Sequence, residues 1–94
     1  MKLLYHPKVK TDDIPRLDNT IAPRIRKAIE KRLAVEPLKY GFFLHGSLHG
    51  YRKMRVGDRR VVYRVSGDVI RIIAIGHRRD NTVYKKAVQR VNEE

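Results

Sequence analysis

Between Tyr51 and Ile75 the apolar residues recur with a period of two, and no other feature of the chain constrains the fold as tightly. Tyr51 to Val56, Arg60 to Val65 and Val69 to Ile75 read as three strands. Gly57-Asp58 fills the first gap and Ser66-Gly67-Asp68 the second, both suited to tight hairpin turns. Strands joined this closely pair antiparallel with their sequence neighbours, so the segment predicts a β-meander. The strand Val69-Ile70-Arg71-Ile72-Ile73-Ala74-Ile75 is apolar at both parities, which predicts a central strand covered on both faces. Parity places Met54 and Val56 with Val61, Tyr63 and Val65 on the core side, and Lys53 and Arg55 with Arg60 and Arg64 on the other. A two-residue turn at Gly57-Asp58 puts Arg55 directly opposite Arg60.

The flanking segments are helical or irregular. Leu3-Leu4-Tyr5-His6 reads as a short first strand stopped by Pro7. From Lys8 to Asp18 the pattern is ambiguous, since Val9, Ile14 and Leu17 suit a short helix that Pro15 limits. Thr20 reads as an N-cap, and Ile21, Ile25, Ala28, Ile29 and Leu33 then follow helical spacing to Glu36-Pro37. Leu38 to Gly50 is loop-like, with Phe42, Phe43 and Leu44 expected to pin it to the core. A last helix from about Asn81 carries Val83, Tyr84, Ala87, Val88 and Val91 on one stripe. The expected architecture is α+β: one domain over 1–94, a small antiparallel sheet packed with N-terminal helices and a C-terminal helix.

Charge narrows the function. The 94 residues carry 22 Lys plus Arg against 10 Asp plus Glu, a net +12 that opposes folding unless something anionic lives beside it. A membrane-surface helix would gather its cations on one amphipathic stretch, whereas nine Lys or Arg and only two acids lie in the β region between residues 50 and 79. No apolar run approaches the roughly 18 residues of a membrane span, and no signal peptide is read at Met1 to Pro7, so a soluble intracellular domain is expected. With no Cys there is no disulfide framework and no thiol nucleophile. P-loop, GxGxxG and HExxH motifs are absent, and His6, His45, His49 and His77 lack companion carboxylates at metal spacing. Neither metal nor cofactor is expected. Asp12, Asp13 and Asp18 read as solvent-exposed.

Like charges placed opposite each other in a sheet are destabilising by a few tenths to roughly 1 kcal/mol. Arg55 and Arg60 either clamp a phosphate between them or splay apart into solvent. Gly76-His77-Arg78-Arg79-Asp80 follows the central strand and can project over the same face, but parity leaves open whether His77 or Arg78 points there. Tyr84 is a core residue on periodicity alone.

Taken together, Tyr51-Arg52-Lys53-Met54-Arg55-Val56-Gly57-Asp58-Arg59-Arg60-Val61-Val62-Tyr63, then Ile75-Gly76-His77-Arg78, then Tyr84, resembles the RelE/ParE superfamily of type II toxin–antitoxin toxins. The likeness extends over nearly the whole chain and implies a strand, two helices, an antiparallel meander and a C-terminal helix. RelE-like members are metal-independent endoribonucleases that cleave messenger RNA in the ribosomal A site. By position, their catalytic set falls on Lys53, Arg55, Arg60, Arg78 and Tyr84, which favours Arg78 over His77 and turns Tyr84 into a site residue. Arg52, Arg59, Arg64, His77 and Arg79 are expected to contact RNA around that set. The implied chemistry is attack of a ribose 2′-hydroxyl on the adjacent phosphate, with the arginines holding the pentacoordinate charge, Tyr84 as base, and Lys53 or an arginine protonating the leaving oxygen.

One position departs from the pattern: Arg59 stands where the superfamily is commonly aromatic. Implied partners are an acidic cognate antitoxin in a hetero-oligomer, the ribosome and mRNA, all in the cytoplasm. The alternatives are a ParE-like inhibitor of DNA gyrase and an RNA-binding module that cleaves nothing.

Overall fold

The computed structural model describes residues 1–39 and 41–93, the side chain of Asp80 excepted. Its centre is a five-stranded sheet in the order β1-β5-β4-β3-β2. The meander is β3 (Arg52–Val56), β4 (Arg59–Ser66) and β5 (Val69–His77), as the period of two predicts. Both turns hold two residues: Val56 pairs with Arg59 and Ser66 with Val69. Gly57 and Gly67 open these turns at φ +59° and +60°, a left-handed conformation that glycine adopts without a Cβ clash.

The sheet is mixed rather than purely antiparallel. β1 (Lys2–Tyr5) joins the outer edge of β5 in parallel, with Leu3 opposite Ile70. The chain leaves β1 through the N-terminal helical segments instead of a hairpin, which lets the strand run alongside β5. On the opposite edge, β2 (Phe42–Phe43) pairs with β3, within a segment that the sequence reads as loop.

β5 is covered on both faces, as expected, and a bulge within it changes which residues face which side. Val62 faces Ala74 and Tyr63 faces Ile72, so Ile73 is the extra residue. Ile73 and Ala74 then both point to one side, while Ile70, Ile72 and Ile75 point to the other.

The first face packs against α1 (Ile21–Ala28), which runs on through a π-helical turn over Ile29–Leu33. Ile25, Ile29 and Leu33 bury there against Met54, Val61, Tyr63, Ile70 and Ile72. The Tyr63 hydroxyl donates to the Pro37 carbonyl at 2.8 Å, and burial pushes its pKa up so that it stays a donor. Gly41 carries no side chain because the Tyr63 hydroxyl occupies that space. The cap of α1 differs from expectation: Asp18 accepts the Thr20 and Ile21 amides at 2.9 Å, and the Thr20 hydroxyl donates to it as well. These hydrogen bonds hold its carboxyl below the usual carboxylate range.

The second face is crossed by α2 (Thr82–Asn92), whose Val83 and Ala87 bury against Val62, Ile73 and Ala74, with Tyr84, Val88 and Val91 packed alongside. What ties α2 down is a charge cluster. Asp13, expected in solvent, is 2% exposed. It lies in a π-helical turn over Val9–Asp13 and accepts the Ile75 amide at 2.8 Å, Arg90 at 2.7 and 2.8 Å, and Lys86 at 2.8 Å. Arg90 and Lys86 also donate to the Ile73 and Ile75 carbonyls. β1 ends level with Ile72, so these side chains satisfy the backbone of β5 where its neighbouring strand has run out.

Candidate nucleic-acid interface

The register settles which cations share a surface. Arg55 lies opposite Arg60, Lys53 opposite Val62, and Arg64 opposite Arg71, all on the face that α2 crosses. Because α2 covers Val62, it divides this face. Arg55 and Arg60 lie toward the Gly57-Asp58 turn, and Lys53 lies level with the helix. There its ammonium sits 5.8 Å from the centre of the Tyr84 ring. Arg64 lies beyond the helix, 5.7 Å over the Tyr51 ring.

The two opposed arginines splay apart. Arg60 is 8% exposed and folds its guanidinium back onto the turn, donating from Nη1 to the Gly57 and Arg59 carbonyls at 2.9 Å each. Arg55 is exposed and leans the other way, 5.2 Å from the centre of the Phe42 ring. Hydrogen bonding to the turn relieves the like-charge contact and holds Arg60 as a buried cation beside an exposed one.

Arg78 stands past the end of β5. Its amide donates to the Asp58 carbonyl at 2.9 Å, and its exposed guanidinium lies 3.7 Å from the Asp58 carboxylate. This brings Arg78 to the tip of the hairpin that carries Arg55 and Arg60. His77 pairs with Arg59 on the opposite face, and its Nδ1 accepts the Arg79 amide at 3.0 Å. Arg52 also belongs to the opposite face, stacked 3.9 Å from the centre of the Phe43 ring. Of the ten cations and aromatics picked out in the sequence, then, Lys53, Arg55, Arg60 and Tyr84 share one surface, with Arg78 at its tip. Arg52, Arg59 and His77 emerge behind it, Arg79 lines one cleft with Arg59 and His77, and Arg64 lies across the helix. Among the described residues no three His, Cys, Asp or Glu side chains group to hold a metal ion.

Two features escape the sequence. Phe42 and Phe43, expected to anchor a loop, are 56% and 61% exposed, and only Leu44 packs inward. A groove of about 270 Å³ beside Arg55 is lined by Arg24, Lys27, Lys31 and Arg32, so the cations of α1 and the turn after it extend the positive surface.

Comparisons with known proteins agree with this architecture. A structure of an E. coli RelE toxin variant in the free state superposes with a TM-score of 0.75 at 21% identity, covering 96% of each chain. The RelBE toxin–antitoxin complex from Mycobacterium tuberculosis also gives 0.75, at 24% identity over 82% of this chain and 96% of that one. A YoeB-YefM complex from Staphylococcus aureus gives 0.59 at 22% identity, over 82% and 95%. No curated protein sequence matches the chain. No helix among the described residues is long and apolar enough to cross a membrane. The family model described as ParE toxin of type II toxin–antitoxin system, parDE, matches residues 3–82. With that match over most of its length and the RelE-like fold around it, the chain belongs to the RelE/ParE superfamily as a toxin of a type II toxin–antitoxin system.

Proposed function

We propose that this toxin is an endoribonuclease that cuts messenger RNA in the ribosomal A site without a metal ion. The observation that carries the reading is the grouping of Lys53, Arg55 and Arg60 on one sheet face with the Tyr84 ring 5.8 Å from the Lys53 ammonium. Arginine does not deprotonate in proteins, so these guanidiniums serve as preorganised counter-charge rather than as bases. The ribose 2′-hydroxyl attacks the adjacent phosphorus, and Tyr84 takes its proton. The bond from phosphorus to the 5′ oxygen breaks, and Lys53 or an arginine protonates the departing oxygen. The products are a 2′,3′-cyclic phosphate and a 5′-hydroxyl end. Arg60, held against the turn, fixes one charge in place, while the exposed guanidiniums of Arg55 and Arg78 supply the others.

An acidic cognate antitoxin, complexed in the cytoplasm, would neutralise the toxin by covering the Lys53, Arg55 and Arg60 face. Displacing α2 instead requires breaking the Arg90–Asp13 bonds.

The test is cleavage of mRNA on programmed ribosomes by the wild type, Arg78→Ala and Tyr84→Phe. Tyr84→Phe should slow cleavage roughly 100-fold or more, the scale of losing a general base, and Arg78→Ala should weaken it without unfolding an exposed site. Unchanged cleavage by Tyr84→Phe removes Tyr84 from the mechanism. The ParE description of the matching family favours a second reading, inhibition of DNA gyrase. A folded toxin that leaves ribosome-bound mRNA intact and blocks gyrase supercoiling would establish that reading instead.

A further inference from the structure

Phe42 is half of a two-residue edge strand and leaves 56% of its surface in solvent. A large apolar ring left on a sheet edge is a liability unless something covers it. The register puts Phe42 opposite Lys53, on the same face as Arg55, whose guanidinium lies 5.2 Å from the ring centre. On the other side of Lys53 is Tyr84, its ring 5.8 Å from the ammonium. Two adjacent cations are thus flanked by two rings, one from β2 and one from α2.

A phosphodiester within a strand has the same form, an anion with a base on either side. We infer that Phe42 is a stacking platform for a base of single-stranded RNA, the one flanking the phosphate that Lys53 and Arg55 hold. The inference rests on the RNA reading above and adds a base-binding residue to it. Charge decides the occupant. A ring bordered by Lys53 and Arg55 suits a base attached to phosphate, and aromatic stacking beside a basic track is how single strands are held without sequence readout. Phe43 provides an internal control: it shares the strand, faces the other way, and is already stacked by Arg52 at 3.9 Å.

The chain contains no Trp, so one introduced indole reports alone. Phe42→Trp and Phe43→Trp are titrated at low salt with a short single-stranded RNA and with the same RNA made abasic. Anisotropy of labelled RNA follows binding in parallel, for these variants and the wild type. Stacking predicts that the RNA quenches Trp emission in Phe42→Trp, that the abasic RNA binds with much less quenching, and that Phe43→Trp barely responds. Phe42→Leu, which keeps apolar bulk without a ring, should weaken RNA affinity roughly 5- to 150-fold, while Phe43→Leu should not. RNA bound with unmoved emission in Phe42→Trp, or equal quenching by abasic RNA or in Phe43→Trp, overturns the stacking role and leaves the ribonuclease reading standing. A wild type that neither binds RNA nor cuts ribosome-bound mRNA overturns both.

Discussion

The two faces of the sheet share one backbone and differ in nearly everything else. The face under α1 is closed by Val9, Ile25, Ile29, Leu33, Met54, Val61, Tyr63, Ile70 and Ile72, each 2% exposed or less. The face under α2 has a narrow apolar strip, with Val62, Ile73 and Ala74 as its sheet contribution, and cations on both sides of it. A sheet face given over to guanidiniums cannot also contribute a broad hydrophobic core. Stability is therefore concentrated on the first face and the proposed chemistry on the second. The helix over the second face is held by a buried ionic tether as well as by burial of side chains.

The strongest way to break this contrast is to cut the tether. Asp13→Ala leaves the Arg90 side chain, 4% exposed, as an uncompensated buried charge. Loss of one partner from a buried pair costs about 3–5 kcal/mol, a large share of the ~5–15 kcal/mol by which a domain is stable. The denaturant midpoint should fall accordingly, with hydrogen exchange quickening in α2 before β3 and β4. A variant with an unshifted midpoint would mean that α2 is held by its apolar stripe alone.

The same tether is acid-sensitive. Burial by itself would raise the Asp13 pKa, but hydrogen bonds from Arg90, Lys86 and the Ile75 amide outweigh it and hold the carboxyl below its ordinary value. The folded state therefore binds this proton less readily than the unfolded chain. The contribution is fully present above the unfolded pKa of about 3.9 and is lost as pH falls below it toward the lowered folded value. Asp13→Asn should flatten the acid limb of the stability–pH curve, and an unaltered limb would assign it to other carboxylates.

Smaller changes sharpen the comparison from each side. On the closed face, Tyr63→Phe removes the hydroxyl that reaches the Pro37 carbonyl and should cost about 1 kcal/mol in equilibrium unfolding, with RNA cleavage unaffected. On the open face, Arg55→Thr removes what remains of the opposition to Arg60 once the two have splayed apart, and should raise stability by no more than a few tenths of a kcal/mol while cleavage falls. A variant that lost stability as well as activity would show that Arg55 supports the hairpin it burdens.

Much of the fold was legible because strand patterns are local. The two-residue turn at Gly57-Asp58, parity and the both-sided strand follow from residues near one another in sequence, and so does the opposition of Arg55 and Arg60. The parallel docking of β1 and the burial of Asp13 depend on partners far along the chain. A signal did exist: Arg90 follows Val83 by seven and Ala87 by three, which sets it in the apolar stripe of α2, and Asp13 stands four after the buried Val9. Phe42 misled for the opposite reason. An apolar ring is read as core, and nothing local announces that it borders a charged surface. The hydrogen bonds that fold Arg60 onto the turn are likewise invisible to pattern, since they depend on backbone carbonyls that every sequence has.

The tether between Asp13 and Arg90 joins groups 77 residues apart, and ribosomes make proteins in one direction. During synthesis the acid is in place long before the base that neutralises it, and Tyr84 also arrives late, on the helix that Arg90 secures. A chain interrupted before Lys86 and Arg90 carries the Asp13 carboxylate without either cation and the Ile73 and Ile75 carbonyls without these donors, and it lacks the secured helix that presents Tyr84. Such a fragment could not assemble the proposed site, which forms only once Arg90 has been made.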